Sequence, residues 1–84
     1  MLTSLTAALL ACYVYPNIGE FGTLKCPKSD GTIAVICSAA YDFRTATCTI
    51  DAKDVIHCKD VTVAETKVTI NLDIDLPGRR ARVY

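Results

Sequence analysis

The chain has 84 residues, of which 51% are hydrophobic, and its nine basic residues balance nine acidic ones. This length suggests a single domain, and the hydrophobic content excludes an intrinsically disordered chain. The formal net charge is zero. The chain therefore lacks the excess of basic residues that is typical of a general nucleic-acid binder or of a cationic membrane-lytic peptide. No nucleic-acid partner is therefore expected.

The first fifteen residues are predicted to be a signal peptide or a hydrophobic N-terminal segment, and residues 16–84 a single small β domain. The chain begins MLTSLTAALLA, with no charge, and Ala8 and Ala11 form a small-x-x-small ending of the kind that signal peptidase accepts. The alternative is a hydrophobic first strand or short helix of the mature fold. A stable membrane span is not expected, because the apolar stretch stops at Pro16 and a spanning helix needs about 20 residues.

The remainder of the chain reads as all-β, because Thr, Val and Ile are abundant and no helical period extends over three turns. We predict a small disulfide-stapled antiparallel meander of about five strands, either barrel-like or a sandwich. The predicted strands cover residues 22–26, 32–38, 44–50, 55–59 and 67–76. The clearest turn is the Pro-Lys-Ser-Asp-Gly segment that ends at Gly31.

The inward faces of three strands follow from their sequence patterns. Residues 32–38, TIAVICS, have no polar face, which predicts a central strand or one covered on both sides. Residues 44–50, RTATCTI, alternate and place Ala46, Cys48 and Ile50 inward. In residues 55–59 either Ile56 and Cys58 or Val55 and His57 point inward.

The strongest local signal is the strict alternation of residues 67–76. One face collects Val68, Ile70, Leu72, Ile74 and Leu76, which are predicted to be buried, and the other collects Thr69, Asn71, Asp73 and Asp75, which are predicted to face solvent. The two aspartates are interpreted as charges that keep an edge strand soluble rather than as a calcium or acid–base pair. Residues 79–84 are predicted to form a frayed basic tail.

The five cysteines predict two disulfide bonds. Cys12 lies at the edge of the hydrophobic N-terminal segment, and setting it aside leaves an even number, as a secreted disulfide framework requires. The bridges are therefore predicted among Cys26, Cys37, Cys48 and Cys58, whose spacings of 11, 11 and 10 residues match one strand and one turn each. Four cysteines allow three pairings, and the sequence does not choose between them. No close pair of the zinc-binding kind is present.

The single histidine is the one imidazole available for catalysis. His57 lies near Asp51, Asp54 and Asp60 in the sequence, but a catalytic triad also needs a positioned nucleophile, and no nucleophile-elbow motif is present. We interpret His57 as a half-exposed residue of a strand. No catalytic, cofactor-binding or metal-binding residues are predicted, and the protein is not expected to be an enzyme.

Three short segments, KCPKSD at residues 25–30, CTID at 48–51 and CKD at 58–60, resemble the small cysteine-rich secreted antifungal proteins of filamentous fungi. The resemblance covers about 35 residues and implies a secreted, disulfide-bonded five-stranded β-barrel. That family is strongly cationic and this chain is neutral, so the resemblance extends to the fold and to secretion and not to antifungal activity.

Two functional hypotheses remain after these exclusions. The first is a small secreted cysteine-rich protein of the effector, toxin or defence type, which acts by binding another protein or a cell-surface molecule. The second is a non-catalytic structural or recognition module of a larger extracellular assembly, in which a partner would cover the apolar strand TIAVICS.

Overall fold

The computed structural model describes residues 9–15 and 22–84, which form nine β-strands. In chain order the strands are β1 (Leu10–Ala11), β2 (Tyr13–Tyr15), β3 (Thr23–Pro27), β4 (Ile33–Ile36), β5 (Tyr41–Asp42), β6 (Thr47–Ile50), β7 (Val55–Val63), β8 (Thr69–Asp75) and β9 (Arg80–Val83). Most of the segment on which the signal-peptide prediction depends, residues 1–8, lies outside the described residues, and that prediction stays untested.

The strands form two antiparallel sheets. Sheet A has six strands in the order β1-β6-β7-β8-β9, with β5 pairing the second half of β7, and sheet B has the order β2-β3-β4. The predicted all-β, antiparallel and disulfide-bonded fold is confirmed, and within the described residues the sheets do not close into a barrel. The strands beyond the expected five are short ones of two to four residues.

Cys12 is the point at which the chain passes from one sheet to the other. Before it, Leu10 pairs with Ile50 of sheet A, and after it, Tyr13 pairs with Lys25 of sheet B. The backbone N–H of Cys12 itself donates to the carbonyl of Cys48 at 3.0 Å. The segment 10–15 therefore contributes β1 to sheet A and β2 to sheet B.

Two disulfides are present, but one of the predicted cysteines was wrong. Cys12 is bonded to Cys26 and Cys48 to Cys58, and Cys37 is free and exposed. Cys48 and Cys58 lie directly opposite each other on β6 and β7, and Cys12 lies opposite Cys26 if the β2–β3 register is extended by one residue. The sequence shows the number and the spacing of the cysteines but not which strands pair. It therefore does not reveal that Cys12, and not Cys37, is bridged.

The core joins the inner faces of both sheets. Its buried members are Leu24, Cys26, Phe43, Cys48, Ile50, Ile56, Cys58, Val61 and Leu72. The inward sets predicted for β6 and for one of the two alternatives of β7 are confirmed at the buried residues Cys48, Ile50, Ile56 and Cys58. Phe43, which falls in a predicted loop, contributes the largest fully buried side chain.

The prediction for residues 67–76 holds in the middle and fails at the start. Leu72 is 1% exposed, and Ile70, Ile74 and Leu76 pack partly buried against the core. Val68 is 57% exposed, because it precedes β8 and follows Lys67, whose φ of 62° turns the backbone between β7 and β8.

Two other predictions are corrected by the sheet order. The TIAVICS segment contains the edge strand β4 and does not form a central strand. Ile33 and Val35 are exposed on the face of β4 that points away from the core. The predicted basic tail is not frayed, because Arg80–Val83 forms β9, in which Arg80 pairs with Asp75 and Arg82 with Asp73.

We expect Leu72→Ala to lower the free energy of unfolding by about 2–5 kcal/mol, because it leaves a cavity in a fully packed site. Val68→Ala should change it by less than about 0.5 kcal/mol, since that side chain is already in water. Urea unfolding followed by circular dichroism measures both. Equal effects of the two substitutions would contradict the assignment of Leu72 to the core.

The Cys48–Cys58 bridge closes a loop with a sequence separation of 10. In the chain-entropy model, a loop of roughly that length contributes about 3 kcal/mol. Replacing both cysteines by alanine should therefore lower the unfolding free energy by about that amount, whereas Cys37→Ala should leave it nearly unchanged. A comparable loss in the monomeric Cys37 variant would show that Cys37 takes part in an internal bridge.

Candidate functional site

A polar cluster lies on the outer face of sheet A, centred on His57. Nδ1 of His57 lies 2.9 Å from Oδ1 of Asp73, and Nε2 lies 2.9 Å from Oδ2 of Asp51. Oδ2 of Asp73 is in turn 3.8 Å from the guanidinium of Arg82. Charged groups of alternating sign therefore run across three neighbouring strands and the adjoining turn.

Strand register and a turn place these side chains. His57 lies opposite Asp73, and Asp73 lies opposite Arg82, so the three share one row of the sheet. Asp51 begins the turn between β6 and β7, where its Oδ1 accepts the backbone N–H groups of Lys53 and Val55 at 2.8 and 3.1 Å. The other oxygen of the same carboxylate remains for His57.

The two carboxylates favour the charged imidazolium form of His57. The hydrogen bond to Asp51 is the largest cause of a raised His57 pKa, and the bond to Asp73 adds to it against the opposing effect of partial burial. The pKa of Asp51 is lowered, chiefly by the same hydrogen bond and further by the two backbone N–H donors. Both ring nitrogens lie within hydrogen-bond distance of carboxylates, so neither is directed at a nucleophile.

Of the three aspartates near His57 in the sequence, only Asp51 contacts it among the hydrogen bonds of the described residues. Asp54 accepts the backbone N–H and hydroxyl of Ser29 at 2.8 and 2.9 Å, and Asp60 lies at the bulge of β7 with a φ of 61°. The alternation of residues 67–76 pairs Asp73 with Asp75 and not with His57. The signal that could have linked it to His57 is the β7–β8 register.

Asp73 and Asp75 do not act together in the structure. Asp73 bonds His57, whereas Oδ1 of Asp75 accepts the backbone N–H of Gly78 in the turn to β9. Neither is fully exposed, and of the predicted solvent-facing row only Thr69 is exposed, whereas Asn71, Asp73 and Asp75 are half-buried. In residues 9–15 and 22–84, no group of three or more His, Cys, Asp or Glu side chains is arranged to hold a metal ion.

A second surface, on sheet B, has the opposite character. Side chains of β2, β3 and β4 that point away from the core line a shallow hollow of about 340 Å³, which we call the tyrosine face; they are Tyr13, Tyr15, Lys25, Pro27, Ile33 and Val35. The two tyrosines and the two aliphatic residues are about half exposed. The charge on the face comes from Lys25, whose ammonium lies 4.5 Å from the centre of the Tyr15 ring.

The strand pattern explains why these residues share one face. Tyr13, Lys25 and Val35 lie opposite one another in one row across β2, β3 and β4. Their neighbours along the strands point inward, where Leu24 is buried and Val14 and Ile36 pack against the core. Tyr13 and Tyr15 fall within the fifteen residues predicted to be a signal peptide or hydrophobic N-terminal segment, although the alternation Tyr-Val-Tyr is a strand signal.

Cys37 lies beside this face. Its Sγ is 3.5 Å from Oγ1 of Thr23, and Thr23 lies opposite Tyr15 in the β2–β3 register. The exposed thiol therefore stands at one corner of the tyrosine face, at the end of β4.

Comparison with protein-family models, curated proteins and solved structures found no match to this chain. The resemblance to the cysteine-rich antifungal proteins therefore stays a prediction. The part of the chain that the structure describes contains no helix long and apolar enough to cross a membrane.

The polar cluster predicts a stability that depends on pH in a defined direction. Because the pKa of His57 is raised in the folded protein, its contribution is complete below the unfolded value of about 6.5 and is lost as the pH rises through the folded value. Because the pKa of Asp51 is lowered, its contribution is present above about 4 and is lost on acidification.

We therefore expect wild type to be more stable at pH 5.5 than at pH 8.5 relative to a His57→Gln variant, by less than about 1 kcal/mol because the cluster is partly exposed to solvent. Thermal unfolding of both proteins at the two pH values measures the difference. Parallel pH profiles for wild type and variant would show that the cluster does not couple to folding.

Proposed function

We propose that this chain is a small secreted, non-catalytic protein that acts by binding, with the tyrosine face as its binding surface. The observation that carries the proposal is the exposure of Tyr13, Tyr15, Ile33 and Val35 together on one sheet face. The largest apolar patch on a typical monomeric protein covers about 300–600 Å² and is often a functional site.

The composition of the face fits a protein interface. Interface cores are enriched in tyrosine and depleted of charge, and tyrosines in such positions carry a large share of binding energy. The Lys25 ammonium already lies over the Tyr15 ring, so its charge is partly satisfied within the face. Burying each half-exposed aliphatic side chain would contribute about 1 kcal/mol to binding.

The outer face of sheet A provides an internal contrast. There the strands present Asp51, His57, Asp73 and Arg82, which pair with one another. A sheet face covered by paired charges is suited to water, and it also discourages association of sheet edges. The chain therefore has one face suited to solvent and one suited to a partner.

The cysteines support secretion as part of this proposal. The two disulfides suggest an oxidising environment. The Cys48–Cys58 bridge and the Cys26 end of the other bridge lie in the buried cluster, and Cys12 packs partly buried against it. A small domain with a limited core depends on such bridges. The extracellular space is an oxidising environment in which such disulfides form and persist.

The absence of catalysis in the proposal is supported by His57. A general base needs an imidazole nitrogen within reach of a nucleophile's proton, and both nitrogens of His57 face carboxylates. The imidazolium that these carboxylates favour has no proton-accepting nitrogen.

The second candidate, a module of a larger extracellular assembly, is favoured by one specific observation. Strand β4 is an edge strand whose outer side has no strand partner in the described residues, and residues 32–38 contain no charge or proline to protect it. If a neighbouring strand of an assembly paired with this edge, the backbone amides of Ile33–Ile36 that point away from β3 would be protected from hydrogen exchange. A partner that covers only the tyrosine face would leave these amides exchanging.

The proposal can be tested by hydroxyl-radical labelling of the tyrosines in the extracellular medium of the source organism. Tyr13 is 59% exposed in the isolated chain and Tyr84 is 56% exposed outside the tyrosine face, which makes Tyr84 an internal reference. We expect Tyr13 and Tyr15 to label less than Tyr84 in the native medium. In the dilute, purified and monomeric chain, Tyr13 and Tyr84 should label equally.

Equal labelling of Tyr13 and Tyr84 in the native medium would overturn the proposal, because the face would then be uncovered where the protein acts. Retention of the chain inside the cell would overturn secretion.

A further inference from the structure

The free thiol of Cys37 lies at the margin of the tyrosine face, separated from Tyr15 by the buried Thr23. Successive rows of the face lie about 7 Å apart along the strands, and neighbouring strands about 4.8 Å apart. Cys37, beside Thr23, occupies the corner formed by the end of β4 and the row of Tyr15. Four of the five cysteines are bridged, and the fifth is the one that is exposed on this surface.

We propose that the tyrosine face binds a second copy of this chain and that the Cys37 residues of the two copies form a disulfide. This inference rests on the proposed function of the face and names its partner. An unpaired exposed cysteine in a disulfide-bonded protein points to intermolecular pairing, and closed dimers with two-fold symmetry are the commonest oligomers.

The geometry of the face allows a two-fold axis through Cys37. The axis lies in the plane between the two faces and runs diagonally from Cys37 to the opposite corner. Rotation about it brings the two Cys37 thiols together and places the tyrosine face of one copy against that of the other. Tyr15 of one copy then lies over the edge formed by Ile33 and Val35 of the other. Each aromatic ring would meet aliphatic side chains, as in the packed centre of an interface.

The same arrangement keeps the like charges apart. The Lys25 ammonium lies over Tyr15, on the β2 side of the face and away from Cys37. Two such ammonium groups related by the diagonal axis are on the order of 15 Å apart. That separation exceeds the screening length of about 8 Å in physiological salt, so their repulsion is weak.

The area of the face explains why a covalent bond is needed. A tyrosine has a total side-chain surface of about 150–250 Å², so the half-exposed apolar side chains of the face offer on the order of 400 Å² together. A stable interface buries about 800 Å² on each partner. Packing alone would give a weak dimer, which the Cys37 disulfide would make permanent.

The bond forms by thiol–disulfide exchange. A Cys37 thiolate attacks a low-molecular-weight or protein disulfide of the oxidising compartment and forms a mixed disulfide, releasing one thiol. The Cys37 thiolate of the second copy attacks the Cys37 sulfur of that mixed disulfide and releases the second thiol. Two cysteine thiols are thereby oxidised to one disulfide, and one disulfide is reduced to two thiols.

The experiment uses the purified full chain in a buffer of reduced and oxidised glutathione. Non-reducing electrophoresis and intact mass then report the fraction of covalent dimer and of the mixed disulfide with glutathione. We expect wild type to accumulate as the dimer. Cys37→Ser should remain a monomer with both internal bridges intact.

Two matched variants separate the face from mere thiol exposure. Val35 is 56% exposed on the face and Val68 is 57% exposed elsewhere. Val35→Ser should reduce the ratio of dimer to mixed disulfide by on the order of tenfold, since a symmetric dimer contains the substitution twice, and Val68→Ser should leave it unchanged. A Cys37→Ser/Val68→Cys variant places an exposed thiol off the face and should give mainly the mixed disulfide.

The inference is overturned if wild type gives mainly the mixed disulfide, or if the relocated thiol dimerises as well as Cys37 does. In either case the labelling of Tyr13 and Tyr15 in native medium decides independently whether the proposed binding function holds. Protection of Tyr13 with a monomeric chain leaves the proposed binding function in place and assigns the face to a different partner. Loss of that protection removes the binding function as well.

Discussion

The fold depends on the way in which Cys12 ties the two sheets together. Its backbone N–H donates to Cys48 in sheet A, and its sulfur is bonded to Cys26 in sheet B. Cys26, Cys48 and Cys58 all belong to the buried cluster, against which Cys12 packs. One residue therefore fixes the sheet crossing, closes a covalent loop and lines the core. In a domain that hides only roughly 60% of its unfolded surface, such shared use replaces a larger core.

A second connection between the sheets lies in their turns. The carboxylate of Asp54, in the β6–β7 turn, accepts two hydrogen bonds from Ser29, in the β3–β4 turn. The carbonyl of Asp54 accepts the N–H of Leu76 at 3.3 Å. The Cys12 crossing and the Asp54 contacts hold sheet B against sheet A at two separate places. The outer face of sheet B is presented on a fixed support, and a partner that binds it need not order the strands.

The sequence predicts what is local and misses what depends on pairing. Period-two alternation identifies the inward residues of β6 and of β8 around Leu72, because side chains alternate along any strand. The same reasoning cannot locate an edge, so β4 was placed in the centre of a sheet. It cannot identify partners across strands, so the alternation reveals neither the Cys12–Cys26 bridge, nor the contact of Asp73 with His57, nor the pairing of β9 with β8. The tyrosine face was missed for the same reason, because its six residues come from three strands.

The composition of β4 is the clearest link between sequence and association. A strand that is apolar on both faces can bury one face, with Ala34 and Ile36 against the core. Among the described residues no second layer covers Ile33 and Val35. These two side chains are exposed in the folded chain and in the unfolded chain, so they contribute little to the folding of a monomer. They do expose an apolar edge strand to aggregation. Their hydrophobic free energy becomes available only when another surface covers them. Because the disulfides and the core already stabilise the monomer, that energy is available for binding.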